Sequence, residues 1–185
     1  MNAAVTSRQD ILEACRQLVR TDGWDAVNIR TVAAACGVAV GSIYNYFGSK
    51  AELVSATVES VWCDIFHTPE DPDLFQSAES CVRWLYQRIL YGAQTYPGFF
   101  SMHSARFFHL EKAEGRVRME QTWSHMMDGL CTVLERDARV RPGAFDSAFT
   151  PRVFAGTLFS LLLGDMVRGQ NDPAAALELV RRILY

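Results

Sequence analysis

Residues 28–54 read NIRTVAAACGVAVGSIYNYFGSKAELV, and this stretch decides the fold. Ile29, Val32, Ala33 and Cys36 recur at three- and four-residue spacing, the signature of one helix face. Asn28 is an N-cap residue type, and Gly37 ends that helix after two turns, because glycine reaches the left-handed backbone of a sharp turn without strain. A second short helix is expected over residues 40–47. Ile43 and Phe47 lie four apart and face inward, which turns Val40, Gly41, Tyr44 and Asn45 outward. Val38 fills the angle between the two helices. Gly48 breaks the second, and Ser49-Lys50-Ala51-Glu52 is a capping box that opens a longer helix to about residue 66.

Two short helices joined by Gly37-Val38-Ala39 have the compact geometry of a helix-turn-helix. The outward face has the size and chemistry for a major groove. Gly41 allows close backbone approach, and Ser42 and Asn45 can bond base edges or phosphates. Tyr44 and Tyr46 offer hydroxyls to phosphate oxygens, and Lys50 adds a cation at a helix start whose N–H groups favour phosphate. The stretch GSIYNYFGSKAEL, with the helix before it, resembles the DNA-binding signature of the TetR/AcrR family of transcriptional regulators. The resemblance covers about residues 7–54; beyond them it extends only to size and helical layout. It implies DNA contacts from Arg30, Val40, Gly41, Ser42, Tyr44, Asn45, Tyr46 and Lys50. Two positions depart from the family pattern. Ala39 stands where a serine or threonine often caps the recognition helix, a loss typically worth about 0.5–2 kcal/mol. Val40 stands where the residue is often polar or basic.

Outward from this stretch, helical periodicity recurs almost everywhere and strand alternation does not. The expected fold is all-α, with about nine helices in two parts. Residues 1–50 form a helix-turn-helix domain, begun by a helix that Ser7-Arg8-Gln9-Asp10 caps and Gly23 stops. Residues 51–185 form a helical ligand-binding and dimerisation domain. A proline-bearing break spans residues 67–73. Further helices are expected over residues 72–94, 97–109, 111–137, 150–168 and 173–185.

The second part is rich in aromatic and methionine side chains. Most are ordinary core, but adaptable walls of this kind also suit an apolar pocket. The candidate lining is Trp62, Phe66, Trp84, Tyr91, Phe100, His103, Phe107, Trp123, Met126 and Met127, for an unidentified small apolar or amphipathic effector. The last two helices carry apolar stripes at Phe154, Leu158, Leu161 and Leu162, and at Leu177, Val180 and Leu184. The resemblance implies that these helices pair with their copies in a two-fold homodimer. Such a dimer would set two recognition helices on successive major grooves of a palindromic operator.

The bulk numbers bound the rest. With 185 residues and 49% hydrophobic composition the chain can bury a core, and disorder is not expected over most of it. The net charge is −3. Within residues 1–60, Arg8, Arg16, Arg20, Arg30 and Lys50 stand against Asp10, Glu13, Asp22, Asp25, Glu52 and Glu59. DNA affinity must therefore come from charge placement and dimerisation, not from a strong overall field. Cys15, Cys36, Cys63, Cys81 and Cys131 form no CxxC pair and read as reduced thiols. Cys63 and His67 share a helix face, but two ligands do not make a metal site. No secretory pattern opens the sequence, and residues 153–164, the longest uncharged apolar stretch, are too few to span a bilayer. A cytoplasmic protein with no membrane association is expected. No GxSxG, HExxH or phosphate-loop motif occurs, so no enzyme is expected, and no cofactor or metal. The expected function is a ligand-relieved repressor; the alternatives are a transcriptional activator or a helical protein-binding adaptor.

Overall fold

The computed structural model describes residues 6–67, 75–100 and 113–185, with backbone alone for 113–122. Among the described residues every regular element is helical. The elements are α1 (Arg8–Asp22), a 3-10 turn (Trp24–Ala26), α2 (Ile29–Ala35), α3 (Val40–Tyr44), α4 (Lys50–Ile65), α5 (Ala78–Thr95), α6 (Ala113–Arg136), α7 (Pro151–Val167) and α8 (Ala174–Leu184). The all-α expectation holds, with eight α-helices among the described residues beside the roughly nine expected of the whole chain. The short helix expected over residues 97–109 is described only at its start, where Phe99 and Phe100 are helical. α5 begins later than residue 72: residues 75–77 are turn and bend, and the Ser77 hydroxyl accepts the Ser80 N–H at 3.1 Å to start the helix at Ala78.

The chain divides into two compact units. The first comprises Met1–His67 and Gly92–Phe99. Local signals set its helices. The Ser7 hydroxyl accepts the Asp10 N–H, and the Asp10 carboxylate returns the bond to the Ser7 N–H. Asn28 caps α2 through the N–H groups of Arg30 and Thr31. Ser49 caps α4 through Glu52, whose carboxylate accepts the Gly48 N–H at 2.9 Å. Gly23 (φ 82°) and Gly37 (φ 67°) take the left-handed turns. Ile11, Cys15, Val32, Ile43, Phe47, Leu53 and Val61 have no solvent exposure and make one core. α4 belongs to that core as fully as α1 does, because Leu53, Ala56, Thr57 and Val61 face into it.

The second unit comprises Thr68–Tyr91 and Phe100–Tyr185. Its core includes Ile89, Leu130, Leu134, Phe154, Leu158, Val180 and Leu184. Phe145, Phe149 and Phe154 form an aromatic cluster with centroid spacings of 5.8–6.3 Å. Asp137, buried just past the end of α6, is a polar centre of the unit. Its carboxylate accepts the Ala78 N–H at 2.8 Å, the Arg139 N–H at 3.0 Å and the Tyr185 hydroxyl. Arg139 stacks on the Tyr185 ring at 4.3 Å and donates to its hydroxyl at 2.7 Å. One carboxylate thus ties together the start of α5, the end of α6 and the segment following α8.

Burial alone would raise the Asp137 carboxyl pKa; the bonds from Tyr185, Ala78 and Arg139, with the arginine charge, overcome this and hold it below the usual carboxylate range. A depressed folded-state pKa contributes stability above the unfolded value of about 3.9, lost as pH falls further through the folded value. Asp137→Asn is expected to lower unfolding free energy at pH 7 by about 1.5–3 kcal/mol. In urea titrations between pH 7 and pH 2, the loss of stability with acid should be shallower in the variant than in the parent.

Candidate nucleic-acid interface

α2 and α3 pack across the Gly37 turn, and the inward side chains of α3 seat as the spacing predicts. Ile43 and Phe47 have no exposure, while Val40 (43%) and Tyr44 (51%) stand in solvent beside exposed Gly41 and Asn45 and half-buried Ser42. α3 is shorter than expected, ending as helix at Tyr44 and continuing as a turn through Asn45 and Tyr46. No side chain caps it at Ala39, in agreement with the sequence. Lys50 opens α4 on the surface, and Arg30 is exposed in the first turn of α2.

Tyr46 departs from expectation. Its O–H donates to the Thr6 carbonyl at 2.5 Å, so the proton meant for a phosphate is already engaged. The side chain ties the segment before α1 to the end of the recognition segment. Arg8 makes a parallel link, its guanidinium carbon lying 4.8 Å from the centre of the Phe47 ring. Sequence reasoning missed both contacts, because nothing local pairs residue 6 with residue 46.

The other two arginines of α1 serve the unit's interior. Arg16 bonds Glu13 and Ser60. Arg20 donates to Asp64 at 3.1 Å and to the Tyr96 hydroxyl at 2.6 Å, and that hydroxyl in turn donates to Asp64 at 2.8 Å. Tyr96 is fully buried, and burial with the Asp64 bond drives its pKa far above the ordinary tyrosine value. This triangle joins α1, α4 and the segment after α5. Burial also raises all five thiols, Cys15 to about 11 and Cys81 to about 12, so they are held as thiols. Among the described residues no group of three or more metal-ligating side chains occurs.

Residues 11–57 match the family described as bacterial regulatory proteins, tetR family. That match takes in the helix-turn-helix and its flanking helices, about a quarter of the chain. The transcriptional repressor KstR of Rhodococcus jostii (strain RHA1) is 43% identical over 53 residues, which are 29% of this chain and only 25% of that relative. The TetR transcriptional regulator of Legionella pneumophila superposes with a TM-score of 0.62 at 18% identity, covering all of both chains. BioQ bound to its double-stranded DNA operator superposes with a TM-score of 0.55 at 17% identity, covering 90% of this chain and 87% of that one. The last two likenesses establish a shared fold.

The effector candidates fall in both units. Trp62 and Phe66 lie in the first, stacked at 5.2 Å, with Trp62 also edge-on to Phe99 at 5.5 Å. Trp84, Tyr91, Phe100, Trp123, Met126 and Met127 lie in the second. Trp84 meets Phe75 edge-on at 5.2 Å, Tyr91 lies under Arg88 at 4.2 Å, and Trp123 meets Phe159 at 5.9 Å. His103 and Phe107 lie outside the described residues. The pairing candidates divide differently. Phe154, Leu158, Leu162, Leu177, Val180 and Leu184 are buried in the chain's own second unit, and Leu161 is half-buried. The open side of α7 instead carries Val153 (47% exposed), Thr157, Ser160 and Val167 (50%), with Gly156 and Gly164 between them. No helix among the described residues is long and apolar enough to cross a membrane.

Proposed function

We propose that the chain is a transcriptional repressor that binds a palindromic operator as a two-fold homodimer and releases it when a small apolar or amphipathic molecule occupies the second unit. The observation that carries the DNA reading is the outward face of α3. It offers Ser42, Tyr44 and Asn45 to base edges and phosphates, flanked by Arg30 and Lys50, on a helix whose inner face is locked by Ile43 and Phe47. The repressor name of KstR and the operator bound to BioQ support this assignment. Selection from random duplexes should yield a palindromic site for the parent chain. Tyr44→Ala and Lys50→Ala should each weaken that site at least about tenfold, some 1.4 kcal/mol, with oligomeric state unchanged. A parent chain that enriches no site rejects the reading.

The dimer reading rests on α7, whose one acid, Asp165, is buried and bonded to Tyr86 and Arg168 and whose exposed side between Arg152 and Arg168 is uncharged. Its inner face fills the second unit; its outer arc carries no charge between Arg152 and Arg168. Both hydroxyls on that arc fold back onto the helix, Thr157 to the Val153 carbonyl at 3.0 Å and Ser160 to the Gly156 carbonyl at 2.9 Å. The exposed side chains there are Val153, Thr157, Ser160 and Val167, small and uncharged, which suits close approach of a symmetry copy. Thr157→Arg is expected to give monomers in sedimentation experiments while helix content by circular dichroism stays unchanged; a dimer that survives the charge places pairing elsewhere.

The effector reading rests on the half-buried Trp84, Tyr91, Trp123, Met126 and Met127, large apolar side chains within one unit that keep some surface open. An effector shifts the operator equilibrium only by its preference for the DNA-free arrangement, typically about 1–3 kcal/mol. A thermal-shift screen should find apolar or amphipathic compounds that raise the melting temperature and weaken operator binding about 5–150-fold. Compounds that stabilise the chain and leave operator affinity untouched would exclude them as effectors.

A further inference from the structure

Of the five cations in residues 1–60, two are spent inside the first unit: Arg16 on Glu13 and Ser60, Arg20 on Asp64 and Tyr96. Among the described residues no carboxylate pairs with the other three, Arg8, Arg30 and Lys50, all of them exposed. Arg30 and Lys50 belong to the helix-turn-helix pattern. Arg8 does not. It is the first residue of α1, and only the tertiary fold brings it to the recognition segment.

Two contacts fix it there. The guanidinium lies over the Phe47 ring, and Thr6, two residues earlier, accepts the Tyr46 hydroxyl. Stacking engages the flat face of a guanidinium and leaves its N–H edge open. An exposed, oriented fork of donors beside a groove-reading helix suits a phosphate. Asp10, two residues on, is turned to the helix cap: its Oδ2 accepts the Ser7 N–H at 2.9 Å and the Ser7 hydroxyl at 2.7 Å. Phe47, fully buried, cannot itself swing away and release the stack.

We infer that Arg8 contacts a backbone phosphate of duplex DNA beside the groove read by α3, as the third phosphate-binding cation of each half-site with Arg30 and Lys50. This rests on the DNA-binding reading above. Such a contact carries no base information, so its contribution is the same on any sequence. Three cations on each of two subunits neutralise about six phosphates, for a slope of log affinity against log salt near −5.

The test is fluorescence anisotropy of the full chain with a labelled random-sequence duplex of about 30 base pairs, titrated between about 50 and 200 mM salt, the range over which phosphate contacts dominate. Arg8→Gln removes one contact per subunit and should make the slope shallower by about 1.8 in a two-fold dimer. Arg8→Lys, which keeps the charge, should hold the parent slope. Both variants should melt with the parent chain. A parent slope near −5 with an unchanged Arg8→Gln slope overturns the Arg8 assignment alone. So does an Arg8→Lys variant as impaired as Arg8→Gln, which would mark a packing role on Phe47. A parent chain whose duplex binding is absent or insensitive to salt overturns this inference and the DNA-binding reading together.

Discussion

A helix of five residues cannot hold itself together in water, because it closes too few hydrogen bonds to offset the cost of nucleation. α3 has that length and no side-chain cap. Its order comes from Ile43 and Phe47, both sealed into a core made by α1, α2 and α4. Each such burial is worth about 1.5–3 kcal/mol, several times any local preference of the segment. The rest of the first unit can be understood from this dependence. The caps on α1, α2 and α4, the left-handed turn at Gly37 and the Arg20–Asp64–Tyr96 triangle fix the walls that hold two side chains, and those two side chains aim the outward face.

The signals legible in the sequence are those that act within four residues. Ser7 with Asp10, Asn28 with Thr31 and Ser49 with Glu52 cap their helices in the structure. Gly23 and Gly37 sit where a positive φ is needed. The inward and outward sides of α3 follow from spacing alone. What could not be read were partners distant in sequence: Tyr46 with Thr6, Arg20 with Tyr96, Asp137 with Ala78 and Tyr185. The stripes on the last two helices illustrate a second limit. Periodicity tells which side chains share a face but not which body covers it. On α7 the bulky stripe of Phe154, Leu158 and Leu162 belongs to the chain's own core, and the open side is the quieter row of valine, threonine, serine and glycine.

The same geometry resolves the weak charge of the first sixty residues. A count of signs treats every carboxylate as an opponent of DNA, but several are committed to the fold. Asp10 and Glu52 accept backbone N–H groups at helix starts, where the helix dipole favours an anion. Glu13 is matched by Arg16, while Arg20 is matched by Asp64, which lies beyond the counted segment. The three cations of this segment that no carboxylate among the described residues pairs, Arg8, Arg30 and Lys50, lie on or beside the helix-turn-helix, so placement counts for more than the sum of signs.

The uncharged outer arc of α7 links stability to abundance. A surface of that kind costs free energy while it faces water, and covering it with a second copy recovers that cost by mass action. In the proposed homodimer the free energy of unfolding per chain would depend on how much protein is present, and the melting temperature would climb with concentration. If the proposed dimer forms, a scarce chain is the least stable one, and dilution would remove both the paired helix-turn-helix units and part of the stability that carries them.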